Sequence, residues 1–331
     1  MEFGVSYFGN RMVNHYRNWD LPEIVDSGCT FVVHTVSEED LEFYLGTIKE
    51  LVNVTHESGL AVYLDPWGVG GVFGGEAFSN FLVQNLDAWQ IGINGNPLPS
   101  ACLRNTKFRK FMHRWMEAAV SLGPDGIFWD EPHLFSTTSL GGSYLDTSCW
   151  CLECRKEFNE RFGKQMPREI DHDVSEFREE SIVRFLSEVC AFTATKGIKN
   201  AVCLRAEDET PIGSRYWEKI AQIDGIDILG VTPFWRLQGR ELNGWVKFWA
   251  ERVTDICRPV GIESQVWLQG FLIPAGFEEE ISQAADIAVS VGVKNLAMWG
   301  FGGCAHISAM HSARPERVWS TMASVFRRLR S

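Results

Sequence analysis

No uninterrupted apolar run in this 331-residue chain approaches the roughly 18 residues that a membrane-spanning helix needs. The opening stretch, MEFGVSYFGNRMVNHY, lacks the basic start and apolar segment of an export signal, so a cytoplasmic location is expected. Basic residues are in short supply: 31 Lys and Arg face 43 Asp and Glu, a formal net charge of -12. Such a surface repels nucleic-acid phosphates and fits poorly on an anionic membrane. A dinucleotide fingerprint is missing too, since YFGNRM follows the first strand-like run where GxGxxG would stand. The glycines of VGGVFGG lack the Lys and Ser/Thr of a phosphate cradle and read as loop material suited to a lid. There is no low-complexity segment, linker or composition break. In a reducing compartment the nine cysteines read as thiols or metal ligands before disulfides.

What is abundant is aromatic: 13 Trp and 22 Phe. Trp rings fill cores and also stack on flat apolar ligands such as sugar faces. Short β-rich runs alternate with longer amphipathic ones. The strand-like runs are FGVSY, TFVVHTV, AVYLD, GIFWD, AVCLRA, IDILGVT, IESQVWL and VKNLAMW. Ser37 is placed to cap a helix with Glu38, Glu39 and Asp40 in its first turn, and Gly59 to end it. Alternation of this kind implies an α/β parallel sheet with helical crossovers, and eight units imply a closed (β/α)8 TIM barrel. The expectation is one barrel domain over residues 1–331, with a cysteine-bearing insertion at 136–163 after the fourth strand.

Barrel enzymes work at the carboxyl ends of their strands. There GIFWDEPHL puts Asp130 and Glu131 side by side before Pro132. Neighbours on a strand point to opposite faces, so both reach the mouth only where the strand ends and turns. Two acids near a sugar acetal divide the work of glycoside hydrolysis: one gives a proton, the other attacks or activates water. AEDET, ending the fifth strand, supplies further acids in Glu207 and Asp208. The candidate catalytic set is therefore Asp130, Glu131, Glu207 and Asp208. Candidate substrate contacts at strand ends are Tyr7, His34, Asp65, Trp67, His133, Arg205, Trp235, Trp267, Gln269 and Trp299. The scarcity of Lys and Arg among them argues against a phosphorylated substrate and for a small neutral oligosaccharide or glycoside. Glu263 falls at the opposite, stabilising end of its strand.

SCWCLECRKEF holds Cys149, Cys151 and Cys154, thiol spacing that grips a metal, and Cys102 in PSACLRNTKF is the fourth ligand of choice. Four protein ligands leave no open position, so a zinc there staples the insertion and does no chemistry.

An acid-Pro motif ending the fourth strand, a Cys before it and CxCxxC after it together resemble the family 42 β-galactosidases. The resemblance implies a structural zinc on Cys102, Cys149, Cys151 and Cys154 and places Glu131 where that family has its acid/base. Asp130 replaces the family's Asn, and VWLQGF shows no Glu nucleophile on the seventh strand. In α-glycosidase barrels an Asp ends the fourth strand as nucleophile, which suits Asp130 with Glu207 or Asp208. Both assignments stand open at this point. Two other readings compete. The Asp-Glu-Pro motif also ends a strand in the cobalamin-independent methionine synthases, zinc-dependent methyltransferase barrels, although His34 and His133 lack a nearby Cys here. A non-catalytic sugar-binding barrel is the other.

Overall fold

The computed structural model describes residues 1–7, 11–136, 146–207, 216–307 and 309–331. Ten strands occur among them: β1 Glu2–Tyr7, β2 Phe31–Thr35, β3 Ala61–Asp65, β4 Trp89–Ile91, β5 Pro97–Ala101, β6 Gly126–Asp130, β7 Lys199–Arg205, β8 Ile228–Thr232, β9 Glu263–Gln269 and β10 Asn295–Trp299. Eight of them close a parallel barrel in the order β1-β10-β9-β8-β7-β6-β3-β2. These are the eight runs expected from the sequence. Each is followed in the chain by helical segments that pack on the barrel's outside.

The period-two pattern of each strand decides what fills the interior. Phe31, Val33, Tyr63, Phe128, Ala201, Cys203 and Trp267 point inward and form a packed plug. Their neighbours Val32, Val62, Leu64, Val202 and Leu229 face the helices in the larger outer core. Gly4 lets Phe31 cross the axis, because a Cβ there would lie 2.0 Å from its ring. Glu263 starts β9 at the amino end of the barrel, and its Oε2 accepts a bond from Asn295. That end is far from the mouth, as expected.

Two departures from the sequence reading shape the mouth. The helix predicted from Ser37 breaks at Tyr44 into Glu38–Phe43 and Leu45–Glu57. Ser37 caps the first piece through a reciprocal bond with Asp40. Glu38 has a different task from the dipole pairing expected of it. Its buried carboxylate accepts the Gly70 amide at 2.9 Å, the Ser79 hydroxyl at 2.6 Å and the Phe81 amide at 2.7 Å. The Gly-rich loop after β3 is thus clamped along its length. Its far end is tied as well, with Gly74 donating to the Asp130 carbonyl at 2.9 Å and Val72 accepting from His133 at 3.0 Å. The lid expected from VGGVFGG is a fixed wall.

The second departure is the antiparallel hairpin of β4 and β5, which lies outside the eight strand-like runs expected from the sequence. It carries Cys102 directly after β5 and pairs with the insertion through Gly92 and Ser148. Among the described residues the insertion contains one helix, Leu152–Phe162, which Gly163 ends in the left-handed region at φ 67°.

Candidate active site and metal centre

Asp130 is the last residue of β6 and points inward, two positions after Phe128. Glu131 would then point outward. It does not, because its φ of 43° turns the chain into the left-handed region at that residue. A non-glycine residue there costs about 1–2 kcal/mol. The turn brings both carboxyls to one cavity of about 580 Å³ at the barrel mouth. Trp67, Glu76, Arg205, Glu207, Thr232, Phe234 and Trp299 line the same cavity.

The two acids have opposite surroundings. Glu131 Oε2 accepts from Arg205 Nε and Nη2, each at 2.8 Å, and Oε1 accepts from the Thr232 hydroxyl at 2.6 Å. Burial pushes its carboxyl up, but the Arg205 charge and these bonds outweigh burial and hold it below the usual range. For Asp130 burial acts in the same direction as the negative charge of Glu131, and its carboxyl is pushed well above the usual range despite Arg205. The packing around Asp130 is close: a Cβ on Gly74 would stand 2.1 Å from its Oδ2. Asp65, at the end of β3, is fully buried with neither carboxyl oxygen bonded. Burial, then the charges of Asp130 and Glu131, push it up as well. Environments that split the pKa values of neighbouring acids mark a proton donor beside a standing anion.

The remaining candidates sort by height in the barrel as well as by strand parity. Glu207 lines the cavity and pairs with Arg205 Nη1 at 3.3 Å. Asp208 lies outside the described residues. Trp67 and Trp299 both line the cavity and stack at 5.7 Å with 23° between planes. Three predicted contacts are committed elsewhere. Trp267 is a barrel plug, fully buried against Phe128 at 4.8 Å, with its indole N–H on Gln265. Trp235 belongs to the outer core and donates to Glu280 at 2.7 Å. Gln269 is fully buried: its Oε1 accepts the amides of Arg236 and Leu237, and its Nε2 donates to the Phe271 carbonyl. His133 does not line the cavity; its Nδ1 meets the Glu131 carbonyl at 2.8 Å, and burial with Arg205 lowers it to about 4, so the ring is neutral.

Tyr7 and His34 sit at strand ends but on outward positions, and they border a neighbouring cavity instead. The Tyr7 hydroxyl donates to Asp20 at 2.6 Å, and His34 Nε2 meets Thr55 at 3.0 Å.

Glu76 escaped the sequence reading. It enters the cavity from the clamped loop after β3, and burial followed by the Glu131 charge raises its carboxyl against the pull of its own backbone amide. The only signal for it in the sequence was an acid ending a Gly-rich run, GGE, after a barrel strand.

Cys102, Cys149, Cys151 and Cys154 converge. All four are buried and their sulfurs lie within 4.8 Å of one another. Cys102 is 3.5 Å from both Cys151 and Cys154. Ligands about 2.3 Å from a tetrahedral ion stand somewhat under 4 Å apart, so the spacing fits a metal ion. Cys151 also caps the insertion helix, its sulfur accepting the Cys154 amide. Arg178 lies beside the cluster, fully buried, with Nε and Nη1 unbonded, and the sulfurs of Cys149 and Cys154 act on its charge. The four cysteines are placed to bind a metal ion.

No protein-family model matches the chain, and a sequence comparison with curated proteins finds no match. Solved structures do share the fold. The β-galactosidase of the Antarctic haloarchaeon Halorubrum lacusprofundi superimposes with a TM-score of 0.76 at 13% identity over 99% of this chain. The β-galactosidase of the psychrophilic Marinomonas ef1 gives 0.75 at 12% over 100%. The endo-1,4-β-mannanase of Rhizomucor miehei gives 0.66 at 9%, covering 99% of this chain and 95% of its own. The chain spans 58% and 60% of the two galactosidases. At these identities the likeness is one of fold: a TIM barrel of the kind that many glycoside hydrolases use.

Proposed function

We propose that the protein hydrolyses a glycosidic bond in a neutral glycoside or oligosaccharide. The observation that carries this reading is the pair of adjacent carboxyls whose surroundings drive their proton affinities apart inside one cavity. Asp130, kept protonated by burial and by its neighbour, gives its proton to the departing glycosidic oxygen. Glu131, ionised and fixed by Arg205 and Thr232, faces the positive charge that develops at the anomeric carbon. Glu131, held in place by these bonds, acts as the fixed anion in this reading, and attack is assigned to water. Glu76, on the loop after β3, takes the proton from that water; a carboxylate with raised proton affinity is the stronger base once ionised. Trp67 and Trp299 supply ring faces for the sugar. Among the described residues the wall carries four acids, Glu76, Asp130, Glu131 and Glu207, against two arginines, Arg205 and Arg240, which suits hydroxyls better than phosphates.

The metal of the cysteine cluster is zinc in this reading, by the match of four thiolates to its tetrahedral preference. Cys102, Cys149, Cys151 and Cys154 would hold it, tying the β4–β5 hairpin to the insertion that follows the catalytic strand. Closed by four protein ligands, it supplies structure only. A methyltransferase with an open zinc position is disfavoured, because the cluster lies outside the acid-lined cavity.

The test compares leaving groups. Asp130→Asn should lower kcat/KM on unactivated glycosides by about 10²–10⁴-fold, the usual worth of general acid catalysis. On aryl glycosides whose leaving group needs no proton, the loss should shrink to within about tenfold. Equal losses on both would remove Asp130 from the donor role. Absence of wild-type turnover on a broad aryl-glycoside panel would overturn the hydrolase reading itself.

A further inference from the structure

A second cavity, of about 820 Å³, lies beside the first. Trp67 and Glu76 line both, so the two spaces share one wall. That wall belongs to the loop clamped by Glu38 and does not depend on a moving lid. Each volume falls in the range of about 300–1,000 Å³ that houses a small ligand, so the pair exceeds what one sugar unit requires.

The second cavity has the chemistry of a carbohydrate site. Phe43 and Phe78 stand at its rim, 71% and 69% exposed, offering bare ring faces to the C–H side of a sugar. Asn80 supplies a donor and an acceptor for hydroxyls. Arg11 also lines it, but its guanidinium is held by Asp40 at 2.8 Å and Glu39 at 3.1 Å, which leaves no spare cation for an acidic sugar.

His34 adds an independent observation. Its Nε2 meets the Thr55 hydroxyl at 3.0 Å, and that hydroxyl also meets the Leu51 carbonyl at 2.7 Å and the Tyr16 hydroxyl at 2.8 Å. Nδ1 has no partner, on a buried ring that lines this cavity. A sugar hydroxyl, which both donates and accepts, can pair with it in either tautomer.

We propose that this second cavity is a further sugar subsite, and that the substrate is a neutral oligosaccharide whose chain crosses the Trp67–Glu76 wall from one cavity into the other. The proposal rests on the hydrolase reading above and adds a minimum length to the substrate.

Calorimetric titration of the Asp130→Asn protein with gluco-, manno- and galacto-oligosaccharides of one to four units tests it. Affinity for the recognised sugar should rise at least tenfold between one unit and three. Adding Phe78→Ala and Asn80→Ala to the same protein should abolish that rise, and Phe43→Ala alone should reduce it. Phe43 and Phe78 are exposed, so their truncation leaves the fold intact, and an unchanged melting temperature checks this. Affinity independent of length, a rise that survives the truncations, or no binding at any length overturns the subsite. Only if the wild type also fails to turn over aryl glycosides does the hydrolase reading fall with it.

Discussion

At the scale of single residues, the adjacency of Asp130 and Glu131 is resolved by one dihedral angle. Strand alternation sends neighbours to opposite faces, and the positive φ of Glu131 sends both to one. The sequence reading made Glu131 the proton donor or Asp130 the nucleophile; the charges around them favour Asp130 as the donor and Glu131 as the anion. Activity should therefore fall as pH drops through the raised pKa of Glu76, the base, and fall again as pH rises through the still more strongly raised pKa of Asp130, measured as kcat/KM against pH. Asp65 makes a sharper prediction about stability. Its raised carboxyl binds a proton in the folded chain at pH values where the unfolded chain has released it. Stability is then lost as pH climbs from the ordinary carboxylate range towards the raised value. Asp65→Asn should raise the melting temperature at neutral pH, and the gain should vanish near pH 3. A lower melting temperature at pH 7 would show that the buried acid has a partner worth keeping.

Elements position those residues. Gly74 is a glycine because Asp130 occupies the space of a side chain. Gly74→Ala should leave the barrel folded yet displace the Asp130 carboxyl. A misplacement near 1 Å costs on the order of 10²-fold in rate, read as kcat with an unchanged far-ultraviolet circular dichroism spectrum. The insertion is positioned by sulfur. On the proposed zinc reading, a strong chelator should lower the melting temperature and expose four titratable thiols. Arg178, buried beside the cluster, would offset the net negative charge of four thiolates around a divalent ion. Arg178→Met should speed metal loss to a competing chelator, and Arg178→Lys should restore part of the retention. Equal release rates in all three proteins would leave the buried guanidinium without that role.

For the molecule as a whole, the barrel was legible because eight apolar runs with intervening amphipathic helices admit few other closures. The cysteine cluster was legible because spacing alone brings Cys149, Cys151 and Cys154 together. What escaped depends on contacts between distant segments. Whether Trp267 faces a ligand or plugs the barrel turns on its height in the stack of inward residues, and Trp299 sits above it. Tyr7, the last residue of β1, and His34, the last but one of β2, stand in outward register, which a list of strand ends does not reveal. Glu76 becomes visible only once Glu38, more than thirty positions earlier, is seen to hold its loop. As a plug, Trp267→Ala should cost about 3–5 kcal/mol in urea unfolding. Gln269 has the longest reach. The resemblance drawn from the sequence would put an attacking carboxylate at the end of the seventh barrel strand, and there this chain has an amide spent on tying the rim. On the proposed mechanism no sugar is stored on the enzyme between steps, so the first turnover should resemble every later one. Product should accumulate linearly from mixing, without a burst, and newly released sugar should carry the opposite anomeric configuration to the bond that was cut.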